Sequence, residues 1–352
     1  MAHLRSHTPE SLAALWPDLD LDPALARRVL SRLVAEDRDR LEGVRGLPKA
    51  TARELLARGR TTRLEMIDRR RSRVDPFVKY LFRSPDGGTV ETVRIPLERP
   101  RFSVCVSSQV GCGLGCAFCQ TARLGLGRNL EPWEMVEQVL AVRRESPERP
   151  VTGVVFQGQG EPFQNYENVM RAVAILRGPW GGRIGGDRIT ISTVGILPAI
   201  ERYTDEGHPC RLILSLTSAF TEKRARLVPV STRYGVPELA TAMRRHARLR
   251  GGPVSLGWVL IAGFNSGADE ARELGRLFAG VPVRLSVIDV NDPTGRFLRA
   301  GDEERGRFLS ALAEQGIGFV RRYSGGPDID AACGMLAARA RGGEALASPA
   351  AP

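Results

Sequence analysis

The chain has 352 residues, 42% of them hydrophobic and 26% charged, which suits one large catalytic fold with a smaller accessory part. No run approaches the ~18–20 continuous apolar residues of a membrane span. The opening MAHLRSHTPE lacks the apolar stretch of a secretory leader, so a cytoplasmic protein is expected. A net charge of +11 suits a polyanionic partner such as RNA or DNA, although an arginine-rich, high-GC composition gives the same surplus.

Residues 1–75 read as helical. Thr8-Pro9-Glu10 is a helix start, and apolar residues recur at helical spacing through Leu25, Ala26, Val29, Leu30 and Leu33. A second helix is expected from Lys49 to Arg58. After it come Arg58, Arg60, Arg63, Arg69, Arg70, Arg71 and Arg73, either a solvated helix face or linker, or a phosphate-contacting surface. Residues 76–101 read as a β-hairpin linker turning at Pro-Asp-Gly-Gly, 85–88. From 102 to 340, strands alternate with helices. The strands are expected at 103–109, 152–158, 188–193, 211–217, 254–261, 283–289 and 317–322, and helices include 131–145, 236–249 and 302–315. Such alternation predicts an α/β fold with a parallel sheet, a complete or partial (β/α) barrel, whose functional groups sit at the carboxyl ends of the strands. Residues 341–352 read as a disordered tail.

Six cysteines are present, and Cys105, Cys112, Cys116 and Cys119 fall within fifteen residues. Clustered cysteines in a cytosolic chain point to metal or redox chemistry. Cys112, Cys116 and Cys119 form CxxxCxxC after the first barrel strand. A [4Fe–4S] cube normally takes four thiolates. Three from one short loop leave an iron open, which is what chelation of S-adenosylmethionine (AdoMet) requires. Phe118 supplies an aromatic before the third cysteine. The competing reading is a zinc site closed by Cys105 as fourth thiolate, but zinc sites favour two separated CxxC-type pairs.

The second strand ends in Gly158-Gln159-Gly160-Glu161-Pro162. Its glycines let the backbone approach a ligand, and Glu161 can accept from the AdoMet ammonium. Ser192 ends the third strand and Ser215-Leu216-Thr217 the fourth. Asn265 follows the fifth and Asn291 the sixth. Singly, each is an ordinary turn residue; together they place polar groups along one rim.

These residues resemble the RlmN/Cfr family of radical AdoMet adenine methyltransferases acting on 23S rRNA. The resemblance runs from about Val90 to Leu336. It rests on VETVRIP (90–96), CVSSQVGCGLGCAFCQTARLGLGRNL (105–130), GQGEPFQN (158–165), ISTVGILPAI (191–200), LVPVSTRYGV (227–236) and DIDAACGMLA (328–337). It implies a radical AdoMet barrel with a [4Fe–4S] cluster on Cys112, Cys116 and Cys119. It implies AdoMet contacts at Gly160, Glu161, Ser192, Ser215, Leu216, Thr217 and Asn291. Cys333 matches the methyl-carrying cysteine, Cys105 the resolving cysteine that forms a transient disulfide with it, and Glu91 the proton acceptor, with one extra residue between Glu91 and Cys105. The implied product is an adenine methylated at C2 or C8 in 23S rRNA, and also in tRNA. A flavodoxin or ferredoxin would donate electrons to a monomeric enzyme, and residues 1–75 would be an accessory RNA-binding part. Asn265 has no counterpart and reads as a turn residue; Cys210 reads as a small buried hydrophobe.

The chain departs from the family at several points. Methionines are usual where Gln157 and Gln159 stand, and histidine where Thr217 stands. The stretch Asp-Val-Asn-Asp-Pro-Thr-Gly (289–295) keeps Asn291 but not its neighbours. These changes leave two further readings open: radical methylation of a small heteroaromatic metabolite, and a non-catalytic RNA-binding protein with a structural zinc.

Overall fold

The structure is a computed structural model, and it describes residues 1–98, 100–147 and 149–337. The segment 341–352 lies outside the described residues. Three short helices come first: α1 (Pro9–Ala13), α2 (Pro23–Leu30) and α3 (Lys49–Arg58). The Thr8-Pro9 start is as expected. Thr8 Oγ1 accepts Ser11 N–H, and Ser11 Oγ accepts Thr8 N–H in return, which satisfies two donors that a helix start leaves open.

Next come β1 (Glu65–Arg71), β2 (Val78–Arg83), β3 (Thr89–Pro96) and β4 (Phe102–Val106), each antiparallel to its neighbour. The expected hairpin is β2–β3, closed by Ser84 N–H to Gly88 O at 2.8 Å. The expectation of helix through residue 75 fails at β1. Glu, Met and Arg favour helix in isolation, but pairing with β2 overrides that weak preference. A short charged strand is also a usual way to protect a sheet edge. Four of the seven arginines in this stretch make ion pairs within the protein: Arg58 with Asp18 and Glu54, Arg63 with Asp37 and Asp39, Arg69 with Glu145, and Arg70 with Asp68. A phosphate-contacting role for the stretch as a whole is weakened accordingly.

A small ribbon, β5 (Gln109–Gly111) and β6 (Leu126–Asn129), interrupts the alternation. The barrel then proceeds through α4 (Pro132–Glu145), β7 (Val151–Phe156), α5 (Tyr166–Arg177), β8 (Ile189–Thr193), α6 (Leu197–Asp205) and β9 (Arg211–Ser215). After β9 come α7 (Thr221–Leu227), α8 (Val236–Arg250), β10 (Val254–Leu260), α9 (Ala268–Leu277), β11 (Val283–Asp289), α10 (Asp302–Glu314) and β12 (Gly318–Arg321). The ten-stranded sheet runs β1-β2-β3-β4-β7-β8-β9-β10-β11-β12, parallel from β4 onward. Its edge strands β1 and β12 are not paired with one another, so the barrel is partial.

Alternation along the parallel strands decides what faces the helices. Val104, Val154, Ile191, Leu214, Leu256 and Leu285 are buried, and one apolar cluster extends from Leu4 to Ile317. The N-terminal segment joins this cluster through α4, where the His3 ring stacks on Trp133 at 4.2 Å. Among the described residues, no helix is long and apolar enough to cross a membrane.

Candidate active site

The cysteine loop leaves β4 and is fixed before any ligand is considered. Cys112 N–H donates to Gly125 O at 2.8 Å, and Ala117 N–H to Leu227 O at 2.8 Å. The Leu227–Val230 segment, one of the recognised motifs, therefore props the loop. Leu227, Val228, Ile261 and Val290 form an apolar patch against Cys116 and Phe118. Gly111 has φ +72°, and a Cβ there would stand 1.9 Å from Gly125 O. Gly111→Ala is therefore expected to distort the loop at a cost of about 1–3 kcal/mol. Iron bound per chain after anaerobic reconstitution should fall to about half or less, with the far-UV circular dichroism unchanged.

Cys112, Cys116 and Cys119 line one pocket at the carboxyl ends of the strands. Burial pushes the Cys112 thiol up to about 11 and raises Cys116 as well, with Cys119 and Cys112 adding to the shift at Cys116. Thiols in this state bind metal with loss of their protons. Among the described residues, no three His, Cys, Asp or Glu side chains are arranged around a single ion. Cys105 lies apart, on β4 between Val93 and Val155. Three thiols on one loop facing an open pocket fit a cube, whose irons are spread over several ångströms, better than a four-cysteine zinc centre.

The wall expected to hold AdoMet is partly as read. Gly160, Glu161, Ser192, Ser215 and Asn291 line the same pocket as the three cysteines. Gly160 has φ +96°, and a Cβ would come within 2.8 Å of Gln109 N. Glu161 is buried, and its carboxylate accepts Phe163 N–H at 3.0 Å and Val194 N–H at 2.9 Å. Burial raises its pKa, and these hydrogen bonds act against the rise. Leu216 and Thr217 are not on the pocket wall. They are fully buried behind it, where Leu216 N–H donates to Gly257 O at 2.9 Å. Thr217 turns the chain at φ +65°, an unfavourable region for a β-branched residue.

Two residues hold this wall from behind: Asn265, read from the sequence as a turn residue only, and Arg224, which the sequence reading did not single out. Asn265 is completely buried. Its Nδ2 donates to Thr217 O at 2.6 Å and Val259 O at 2.7 Å, while Oδ1 accepts Ile261 N–H at 2.8 Å. It sits in a loop as expected, and it fixes the strained Thr217. Arg224 is also fully buried, and its guanidinium donates to the carbonyls of Val194, Ser215 and Leu216 and to Ser231 Oγ. It ties the ends of β8 and β9 together beside Cys116 and Glu161. Burial pulls its pKa down to about 10, while Cys116 and Glu161 act to raise it.

A second pocket shares Cys119, Gln157, Gly158 and Cys333 with the first and adds Cys105 and Arg322. The two outlying cysteines of the sequence reading thus meet at one site. Burial pushes Cys105 up to about 12, nearby Cys333 adds to this, and Arg322 works against it. All six cysteines are free thiols, so a disulfide is not part of this fold. Cys210 is buried in the apolar core, as read.

The loop carrying Cys333 is latched from several directions. Gln120 N–H donates to Gly334 O and Thr121 Oγ1 to Leu336 O, both at 2.7 Å. Cys333 N–H donates to Ser324 Oγ at 2.7 Å, and Asn291 Nδ2 to Cys333 O at 3.3 Å. Ala337 N–H donates to Glu91 Oε2 at 2.7 Å, and Lys79 Nζ to Asp330 O at 3.3 Å. Lys79 and Glu91 are themselves a buried ion pair at 2.9 Å. Glu91 therefore stands behind the Cys333 loop rather than on a pocket wall. Upstream, Asp328 accepts from Ser72 Oγ and Arg73 N–H.

The departures from the family are accommodated as follows. Gln157 lies on both pocket walls and accepts from Arg322 at 3.0 Å. Gln159 is buried and accepts Glu91 N–H at 2.9 Å. The 289–295 loop is organised by Asp292, which accepts from Thr294 N–H and Phe297 N–H at 3.0 Å.

Comparison with known proteins agrees with this geometry. The radical SAM superfamily profile matches residues 106–274. A Myxococcus xanthus protein described as a probable RNA methyltransferase is 44% identical over 99% of this chain and 98% of its own length. The dual-specificity RNA methyltransferase RlmN of Anaeromyxobacter dehalogenans is 36% identical over 97% of this chain and 93% of its own. The crystal structure of a radical SAM methyltransferase from Sphaerobacter thermophilus superposes with a TM-score of 0.88 at 37% identity, covering 96% of this chain and all of that one. The chain is an enzyme that belongs to the RlmN-type family of radical AdoMet RNA methyltransferases.

Proposed function

We propose that the chain methylates C2 or C8 of an adenine in RNA, 23S rRNA first and tRNA as a further substrate, through S-methylated Cys333. The observation that carries this reading is the shared wall of the two pockets, which puts Cys333 beside the cluster cysteines on one side and Cys105 on the other. Cys112, Cys116 and Cys119 would hold the [4Fe–4S] cluster. Gly160, Glu161, Ser192, Ser215 and Asn291 would line the AdoMet seat, with Leu216 and Thr217 shaping it from behind. When bound, cluster and AdoMet supply a methyl group and a one-electron route to breaking a C–H bond that is not acidic. The remaining steps belong to side chains. Cys333 carries the methyl carbon to the ring. Glu91 would take the ring proton once Ala337 N–H has released its carboxylate, and the odd electron left on the ring would return to the cluster that supplied it. The Cys105 thiolate then attacks the Cys333 sulfur. An S–S bond forms, the S–C bond to the substrate breaks, and its electron pair leaves with the product carbon, which gains a proton to become methyl.

Residues 1–75 would be the accessory RNA-contacting part, residues 76–101 the linker to it and 102–340 the catalytic part. A flavodoxin or ferredoxin would reduce a monomeric, cytoplasmic enzyme. The test is reconstituted enzyme given methyl-labelled AdoMet with rRNA and tRNA from a strain lacking the gene, followed by nucleoside mass spectrometry. Label in 2- or 8-methyladenosine is expected. Label confined to a small heteroaromatic compound, or one zinc with no iron per chain, would overturn the reading.

A further inference from the structure

The inside of a parallel barrel is ordinarily filled by branched apolar side chains. Here the amino-terminal halves of the strands enclose a hollow of about 790 Å³, lined by polar as well as apolar side chains, at the end opposite the cysteine loop. Its floor carries small hydroxyls, Ser103 on β4, Thr190 on β8, Ser255 on β10 and Ser286 on β11. Six arginines line it against two acids, Glu98 and Asp187. Of these arginines, Arg321 pairs with Asp289. Arg101, Arg188, Arg211 and Arg284 make no ion pair among the described residues, and Arg101 Nε is buried there without a hydrogen-bond partner. Four guanidinium groups without ion pairs, beside only two acids, give this concave surface a positive balance that favours an anionic occupant.

The hollow is not isolated from the chemistry. Ile95 and Arg322 line both it and the pocket of Cys105 and Cys333. Ser103 lies two strand residues below Cys105, roughly 7 Å along β4. An occupant of the hollow is therefore adjacent to whatever stands at the two cysteines. Arginine matches phosphate oxygens bidentately, and hydroxyls can donate to the same oxygens. A phosphodiester backbone presents such oxygens at every residue, which suits a surface that gathers several arginines.

We propose that this arginine-rimmed hollow is a backbone subsite that holds phosphates of the substrate RNA next to the adenine being methylated. The proposal rests on the RNA-methyltransferase reading and adds to it a place and a set of residues. The β1 arginines, two of the three already paired, are then secondary in RNA binding.

The test uses the full-length enzyme and a single-stranded RNA oligonucleotide containing a methylated site. Arg188, Arg211 and Arg284 are exposed, so Arg188→Gln/Arg211→Gln/Arg284→Gln should fold normally. Fluorescence anisotropy is measured across a salt series. RNA affinity is expected to fall about tenfold or more. The log–log salt slope should drop by about 0.7 for each phosphate that is no longer neutralised, about two in all. The three lysine variants, which keep charge but lose the bidentate fork, should restore the slope while recovering affinity only in part. Arg71→Gln/Arg73→Gln should change neither quantity appreciably. If the glutamine variant binds RNA as the wild type does, with an unchanged slope, the subsite is overturned while RNA methylation stands. Wild-type protein that neither binds nor methylates RNA overturns both readings. Protection of the three arginines by adenosine monophosphate but not by RNA would also overturn the subsite, in favour of a free nucleotide.

Discussion

Alanine at Cys105 is expected to leave the enzyme covalently joined to its RNA through Cys333. On the proposed route the carbon borne by Cys333 bonds to the ring and Cys105 then breaks the S–C bond at Cys333, so removing only the second thiol would stop the cycle after the carbon–carbon bond has formed. Turnover should fall by about a thousandfold or more, as when a group essential to a covalent cycle is lost. The adduct should migrate as a protein–RNA band on a denaturing gel, and Cys105→Ala/Cys333→Ala should show none. In the wild type, the same geometry sets a pH dependence. Burial pushes Cys105 up to about 12, so its reactive thiolate is scarce at neutral pH and grows as pH rises. Resolution of a preformed adduct should therefore quicken about tenfold per pH unit between pH 7 and 9, measured by rapid mixing. No adduct with any RNA, in a variant that still cleaves AdoMet, would remove the methylcysteine route.

Lys79→Met is expected to destabilise the folded chain by about 3–5 kcal/mol, because it removes one member of a fully buried ion pair. Lys79 is 4% exposed and Glu91 0%, so solvent cannot take over the missing partner. Adding Glu91→Gln should recover a large part of that loss, since a neutral amide needs no counter-charge and can still accept from Ala337 N–H. Urea unfolding of the two single variants and the double variant gives the coupling directly. If the losses simply add, Lys79 and Glu91 do not act as a pair. Because Lys79 also donates to Asp330 O, the single variant should make the 331–337 loop more open to protease than the wild type does.

The barrel was legible because its signals are local. Strand–helix alternation and the turn glycines placed β7 to β12 within a residue or two, and CxxxCxxC singled out, without any long-range knowledge, three cysteines that line one pocket. Cys105 and Cys333 could be joined only through family resemblance, since nothing in their spacing brings them to one pocket. Lys79 and Arg224 were missed, and Asn265 was read only as a turn residue, for a similar reason. Each acts through partners supplied by the fold: Arg224 gathers carbonyls from two strand ends, and Asn265 holds a threonine 48 positions away. The β1 strand was misread because local arginine-rich sequence carries no sign of the neighbour it pairs with. Leu216 and Thr217 carried the right motif but lie one layer behind the surface it was expected to form.

The latching of the Cys333 loop also bears on the order in which the enzyme becomes competent during its synthesis. Cys333 emerges from the ribosome after all twelve strands, whereas the cluster loop emerges near the beginning of the barrel. Chains fold broadly from the amino terminus as they are made. A nascent chain can thus complete the carboxyl rim of its barrel around Cys112, Cys116 and Cys119 while it still lacks Cys333. Gln120, Thr121, Asn291 and Glu91 wait for their partners until that loop arrives. On the proposed reading, loading of the cluster loop and the arrival of Cys333 would therefore be separated in time by the position of one cysteine along the chain.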